Sequence, residues 1–239
     1  MLPARSYVVQ EIRRFPVKAM GGESLSSAEI DTRGLVGDRV YAVVDDDGKL
    51  ASGKHTRRFR RRDEVFDFAS RTTSEGVRVG GRGGEWPAPS DDLDLALSEA
   101  MGDPVRVLPE TTTPYFDVTS VSLIGTASLD WCREHLHVDA DRRRLRPNLV
   151  VDTDEPFVEE TWAGALTVGG VRLRPVGRTE RCRMVDVAQE GLPREGGWLK
   201  ALTETRGMNL AIYLEVEQPG TLAVGDEVRL LRAEPSSAD

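Results

Sequence analysis

Apolar and polar residues alternate with period two along much of this 239-residue chain, and long runs with the helical period are few. Tyr7 to Ile12 is β-branched and aromatic enough to predict a first strand, ended by Pro16. Arg39 to Val44 predicts another, and Asp45-Asp46-Asp47-Gly48 has the chemistry of a turn from which Lys49 returns as the hairpin partner. Arg78 to Ser90 is rich in Gly and Pro and predicts a loop. Two stretches carry the 3.6-residue period. Asp91 to Met101 places Leu93, Leu97 and Met101 on one face behind a cap at Ser90 or Asp91, and Thr126 to Leu136 aligns Leu129, Cys132 and Leu136. Leu166 to Leu173 and Leu222 to Leu230 resemble each other, and each reads as strand, glycine turn, strand, with turns at Gly169-Gly170 and Gly225-Asp226. Short strands, frequent turns and few helices predict a mainly β (α+β) protein with barrel-like sheets. Ala233 to Asp239 reads as a disordered tail.

Composition narrows the class. Hydrophobic residues make up 39% and charged residues 30%, as in an ordinary soluble protein, and no apolar run approaches the ~18 residues of a membrane helix. Met1 to Gln10 lacks the plan of a secretory signal. Two cysteines, Cys132 and Cys182, are too few for a disulfide framework, so a reduced, cytoplasmic setting is expected. The formal net charge of -8 argues against general nucleic-acid binding. Positive charge is nevertheless concentrated in Lys54 to Arg62 and in Arg142 to Arg146. Most of these side chains are expected to be solvated, with a few converging on a small anion.

Phosphate-loop, nucleophile-elbow and His-Glu-x-x-His motifs are absent. His135 and His137 fall near a helix end, where a structural or solvent role is expected. Cys182, within Arg178-Thr-Glu-Arg-Cys-Arg183, is the distinctive residue. Neighbouring guanidinium groups favour a thiolate, and thiolates bind soft or high-valent metals or act as nucleophiles. A buried, inert cysteine is the competing account of this local pattern. Cys132, on an apolar helical stripe, reads as core.

The wider pattern resembles the MOSC family. Phe15 to Gly22 and Gly34 to Arg39 resemble the amino-terminal β-barrel that precedes MOSC domains. Arg146-Pro-Asn-Leu-Val-Val151, Glu160 to Trp162, Arg181-Cys182 and Pro219 to Asp226 resemble the MOSC domain itself. The resemblance runs from about Val8 to Leu231. It implies a MOSC β-barrel packed with an N-terminal β-barrel-like domain: residues 1–110 for the N-terminal domain, 111–233 for the MOSC domain, and 234–239 as tail. It further implies a molybdenum cofactor in its molybdopterin form, with basic residues on its phosphate and one cysteine on the metal. Lys18, Arg39, Arg146, Asn148 and Arg181 match cofactor-binding positions. Thr119, Ser120 and Val121 fall where relatives wrap the pterin, Tyr213 falls near a further pocket position, and Cys182 matches the metal ligand.

Two departures bear on substrate class. Ala19 stands where relatives often carry Ser. Glu180 stands where many carry the first cysteine of Cys-x-Arg-Cys, and strand alternation would place it on the same face as Cys182 as a second candidate catalytic residue, able to repel anions or pass a proton. The function implied is a molybdenum-dependent oxidoreductase that reduces N-hydroxylated or N-oxygenated small molecules. The alternative is a carrier of molybdenum cofactor or sulfur without turnover of its own. Once Cys182 is assigned, one cysteine remains, so the chain cannot hold a ferredoxin-type iron–sulfur cluster. The electrons are expected from a separate ferredoxin, flavoprotein or haem protein, with no nucleic-acid or membrane partner.

Overall fold

A computed structural model describes residues 6–231. Its centre is a closed barrel of seven strands. Going round it, Tyr7–Arg14 is followed by Leu149–Asp152, Val121–Gly125, Asn209–Gln218, Val171–Glu180, Leu166–Val168 and Glu227–Leu230, which returns to Tyr7–Arg14. All neighbours are antiparallel except Val121–Gly125 beside Leu149–Asp152. Closure leaves the ring of seven without an unpaired edge, and Glu23–Leu25 adds to the Ile12–Arg14 end of the first strand as an eighth. The mainly β class with few helices is the observed one.

Alternation explains how one strand serves two layers. Leu123, Leu149, Val151, Ile212 and Leu214 point into the barrel with Ile12, Leu166 and Leu173. Their neighbours Ile124, Val150, Leu210 and Ala211 point outward under the helices Thr126–Leu136 and Trp198–Arg206, together with Leu129, Cys132 and Trp198. Strands covered on both faces read as unbroken apolar runs, and Val121–Gly125 is buried along its whole length. The helix Thr126–Leu136 begins at Gly125, which has no capping side chain. Glu159 substitutes from a distance, its Oε1 accepting from Gly125 N at 3.0 Å and Ser128 Oγ at 2.7 Å.

The remaining N-terminal half packs as smaller sheets around a second core of Val17, Met20, Val43, Phe66, Leu93, Leu97 and Val107. Helix Asp91–Met101 has the bounds its period predicts, and Ser90 Oγ accepts from Leu93 N. Two expectations need correction. The Gly- and Pro-rich Arg78 to Ser90 region is largely a hairpin, Gly76–Gly81 against Gly84–Ala88, because the alternating Val77, Val79, Trp86 and Ala88 supply an apolar face that the glycines do not cancel. The stretch Leu222 to Leu230 is not a hairpin. Gly220–Ala223 pairs with Ser27–Asp31, whereas Glu227–Leu230 joins the barrel. Gly225 N donates to Val9 O, so the turn steers the chain from one sheet to the other. The tail predicted as disordered lies outside the described residues.

Candidate functional site

The site forms where the N-terminal half meets one end of the barrel. Strand Tyr7–Arg14 runs into Phe15, whose fully buried ring is surrounded by three guanidinium groups: Arg146 at 4.2 Å, Arg39 at 5.0 Å and Arg13 at 5.5 Å from its centre. An aromatic face attracts cations, more strongly once desolvated. Gly22 makes room for it, since a Cβ there would lie 2.5 Å from the Phe15 ring and 2.4 Å from Arg14 O. Backbone geometry aims two of the cations. Arg39 and Arg146 both take left-handed angles, φ 51° and 54°, a conformation that costs a branched or bulky residue free energy and persists where the surroundings enforce it. Arg146 adopts it directly after the short helix Arg142–Leu145.

These residues enclose a narrow cavity of about 90 Å³ whose wall includes Lys18, Arg39, Arg146, Asn148, Arg181 and Tyr213. Phe116, Asp117 and Thr119 form its outer side, and Ala19, Ser122, Leu145, Thr179 and Met184 complete it. Four cationic side chains face one small space. Arg146 has both terminal nitrogens buried without a partner, and Arg181 has Nε and Nη2 in the same condition. Burial holds both guanidinium groups below their ordinary range, Arg146 at about 9, with Arg39 adding repulsion against Arg146. Buried Arg atoms are normally satisfied, so this pair is an expensive arrangement unless an anion completes it. Lys18 is buried and lowered to about 8 by that burial, against the opposing pull of Asp117. Burial also raises Tyr213, whose phenol stays protonated as a donor on the cavity wall.

The cavity thus brings together Lys18, Arg39, Thr119, Arg146, Asn148, Arg181 and Tyr213 from the set that the sequence predicts. Ser120 instead lines a groove on the far side of its own segment, and Val121 is barrel core. Asn148 is engaged by protein: its Oδ1 accepts from Ser122 N at 3.1 Å and its Nδ2 donates to Arg13 O at 3.2 Å. Cys182 is half-buried next to the cavity, in electrostatic contact with Arg181 and Tyr213.

The expected alternation between Glu180 and Cys182 does not hold. The strand ends at Glu180, which is exposed, while Thr179 before it and Arg181 after it line the cavity. Cys182 precedes a short 3-10 turn, Arg183–Asp186, so the chain has left the strand register. The local arginine argument is also thinner than the sequence suggests. Arg183 is held by Asp63 and Gly53 O, and Arg178 lies near Glu160, which leaves Arg181 as the unpartnered neighbour of the thiol. Cys132 is buried in the helical core and its thiol is pushed up to about 12 by that burial. His135 is exposed at the helix end, its Nδ1 3.0 Å from Trp131 O. Among the described residues no cluster of three or more His, Cys, Asp or Glu could hold a metal, and no helix is long and apolar enough to cross a membrane.

Sequence reasoning passes over Phe15, Asp117, Ser122 and Thr179. Asp117 is 99 positions from its partner Lys18, and no local pattern signals such a contact.

At this barrel end four cations converge, two of them, Arg146 and Arg181, without hydrogen-bond partners, and the Cys182 thiol lies beside them. The chain belongs to the MOSC family: the MOSC N-terminal beta barrel domain matches residues 6–78 and the MOSC domain matches residues 113–229. It is 25% identical over 256 residues to molybdenum cofactor sulfurase of Danio rerio, an alignment covering 84% of this chain and 31% of that protein. It is 23% identical over 279 residues to human mitochondrial amidoxime-reducing component 1, covering 93% of this chain and 82% of that protein. The chain therefore spans about a third of the sulfurases it matches. Among solved structures, the YuaD protein of Bacillus subtilis shares the fold, with a TM-score of 0.54 at 13% identity and 94% of each chain covered.

Proposed function

We propose that this protein binds a molybdenum cofactor and uses it to reduce N-hydroxylated or N-oxygenated small molecules, with electrons from a separate donor protein. The observation that carries the reading is the pair of buried, unpartnered guanidinium groups of Arg146 and Arg181 beside the Cys182 thiol. Their donor set suits a phosphorylated pterin. Arg146, Arg39 and Lys18 supply charge-assisted donors to a phosphate, Arg181 and the Tyr213 hydroxyl face the ring system, and Cys182 offers the soft ligand a molybdenum centre takes. When bound, the cofactor supplies two-electron chemistry in which the N–O oxygen leaves as water with two protons. The chain's own residues hold the group, keep a protonated phenol on the wall and exclude bulk water from the narrow end. Resemblance to a reducing component along 82% of its length supports the reductase reading over a carrier.

The test is direct. Protein produced in a molybdenum-replete host is analysed for metal and, after oxidation, for a fluorescent pterin. It is then assayed for reduction of an amidoxime with a chemical reductant. Near-stoichiometric molybdenum with turnover supports the proposal. A protein that surrenders its cofactor to an apo-enzyme and turns nothing over is a carrier, and absence of molybdenum refutes both.

A further inference from the structure

The cavity is several-fold smaller than the ~300–1,000 Å³ usual for a small-molecule site, and one segment accounts for this. Residues 114–119 cross its mouth as an irregular strap, with Phe116, Asp117 and Thr119 on its wall. Among the described residues, 114–119 make no backbone-to-backbone hydrogen bond. Side chains of the N-terminal half hold the strap instead. Lys18 Nζ donates to Tyr115 O and to Asp117 Oδ1, both at 2.7 Å. Lys54 Nζ donates to Asp117 Oδ2 at 3.2 Å. Arg58 Nη1 donates to Phe116 O at 3.1 Å, Arg58 Nη2 donates to Pro114 O, and Arg33 stacks 4.3 Å from the Phe116 ring centre. At its far end Thr119 donates to Leu214 O of the barrel. A second space of about 360 Å³, lined by Pro114, Phe116, Thr119 and Ser120, lies behind the strap. The strap is therefore a thin wall with room on both faces.

We infer that the strap is a latched gate: the Asp117 carboxylate occupies the ammonium groups of Lys18 and Lys54 in place of a ligand phosphomonoester, and ligand entry exchanges one anion for the other and swings the strap toward the space behind it. This rests on the reading of the cavity as the cofactor's phosphate end. Asp117 is the one carboxylate bonded to buried Lys18, whose charge is otherwise met by the Tyr115 carbonyl and the Phe59 ring 5.2 Å away. Burial opposes the charge on Lys18, and Asp117, drawn well below the usual carboxylate range by Lys18 and Lys54 against its own desolvation, offsets that penalty until the ligand does. Val118 is 72% exposed at the tip, while Phe116 is buried and Tyr115 packs against Ala42, Leu50 and Phe59, so the movement swings the Asp117–Thr119 end about those two side chains.

The experiment uses the full, cofactor-free chain, with inorganic phosphate as probe and two readouts: the rate of chymotryptic cleavage after Tyr115 and Phe116, each rate divided by that of the same chain unfolded in urea, and phosphate affinity by calorimetry. Asp117→Asn removes the charge with little change of shape. It should speed cleavage of the strap at least tenfold and tighten phosphate binding about tenfold, because no internal anion competes. In wild type, saturating phosphate should speed strap cleavage. Lys54→Met, which removes one half of the latch, should give a smaller acceleration and provides a second variant should Asp117→Asn fold poorly. Unchanged strap cleavage in both variants overturns the inference, as do equal phosphate affinities, including no binding to either wild type or Asp117→Asn. The two readings fail separately. A chain with a working latch that never holds molybdenum sinks the cofactor proposal alone. A molybdenum-loaded chain whose strap ignores Asp117 sinks the latch alone.

Discussion

Arg144 and Arg146 stand two positions apart, both buried, at 1% and 6% exposure, and they have opposite surroundings. Arg144 has Asp139 at 2.7 Å, Glu195 at 3.3 Å, and the carbonyls of Val187 and Pro193 within 3.1 Å. It ties the segment before helix Trp198–Arg206 to the rest of the barrel wall. Arg146 has a ring beneath it and no partner on either terminal nitrogen. One guanidinium is used up by the fold, and the other keeps two buried nitrogens without a hydrogen-bond partner. Burial and charge alone do not separate the two, and the missing partners do.

Applying one substitution to both sites gives the largest expected contrast. Arg144→Met leaves Asp139 and Glu195 without their cation and should cost about 3 kcal/mol in denaturant unfolding. Arg146→Met removes a buried charge whose terminal nitrogens have no hydrogen-bond partner and which only the Phe15 ring and more distant carboxylates answer, so the cofactor-free protein should be as stable as wild type or more so. Equal destabilisation by the two variants would show that Arg146 has a structural partner after all.

Next in size is a pH effect. Lys18 sits at about 8 in the folded protein, against about 10.4 for a free lysine. Between those values the unfolded chain binds more protons than the folded one, so stability rises with pH across that window and the penalty is fully present below it. The wild type minus Lys18→Met difference should therefore change by up to about 3 kcal/mol from pH 8 to 10.4, read by denaturant midpoints. A flat difference would return Lys18 to the ordinary surface lysines.

The same Arg146→Met variant should lose cofactor while keeping its structure. One charged contact removed from a buried phosphate costs roughly 1–3 kcal/mol, or roughly fivefold to more than a hundredfold in retention, measured as molybdenum per chain. The two cysteines sharpen the contrast further. Cys132→Ser buries a hydroxyl in an apolar layer and should cost roughly 1–3 kcal/mol of stability while sparing bound metal, and Cys182→Ser should do the reverse. The smallest effect belongs to Glu180→Gln, a change at an exposed strand end. It should shift stability by no more than about 0.5 kcal/mol and leave the pH profile of turnover as it was. A flattened profile would return Glu180 to the reaction.

How much of this is legible beforehand follows from range. The helices Asp91–Met101 and Thr126–Leu136 are readable because their period, cap and length lie within a dozen consecutive residues. The buried role of Cys132 is readable from the same stripe. Arg78 to Ser90 misleads because turn-forming residues there sit between strand-forming ones, and the hairpin depends on packing of Val79 and Trp86 rather than on composition. Within the site, family motifs point to Lys18, Arg39, Arg146 and Cys182. They say nothing of Asp117, whose meaning depends on Lys18 and Lys54, or of Phe15, whose ring matters through three arginines distant in sequence. The alternation argument for Glu180 fails for a local reason: a period of two applies only while the chain remains a strand, and the strand ends at Glu180.

The first strand also sets a schedule for synthesis. Val8 pairs with Asp152 on one side and with Glu227 on the other, so the stave made earliest is completed by the stave made last. At ~5–20 residues per second, roughly ten to forty seconds separate the two. Glu23–Leu25 and later Leu149–Asp152 reach Tyr7–Arg14 within that interval, but the Tyr7–Val8 stretch that Glu227–Leu230 pairs stays open to its end, a long-range closure of the kind that folds slowly and invites wrong pairings. The closed wall that leaves the finished barrel without an edge is, for the nascent chain, the last thing to exist.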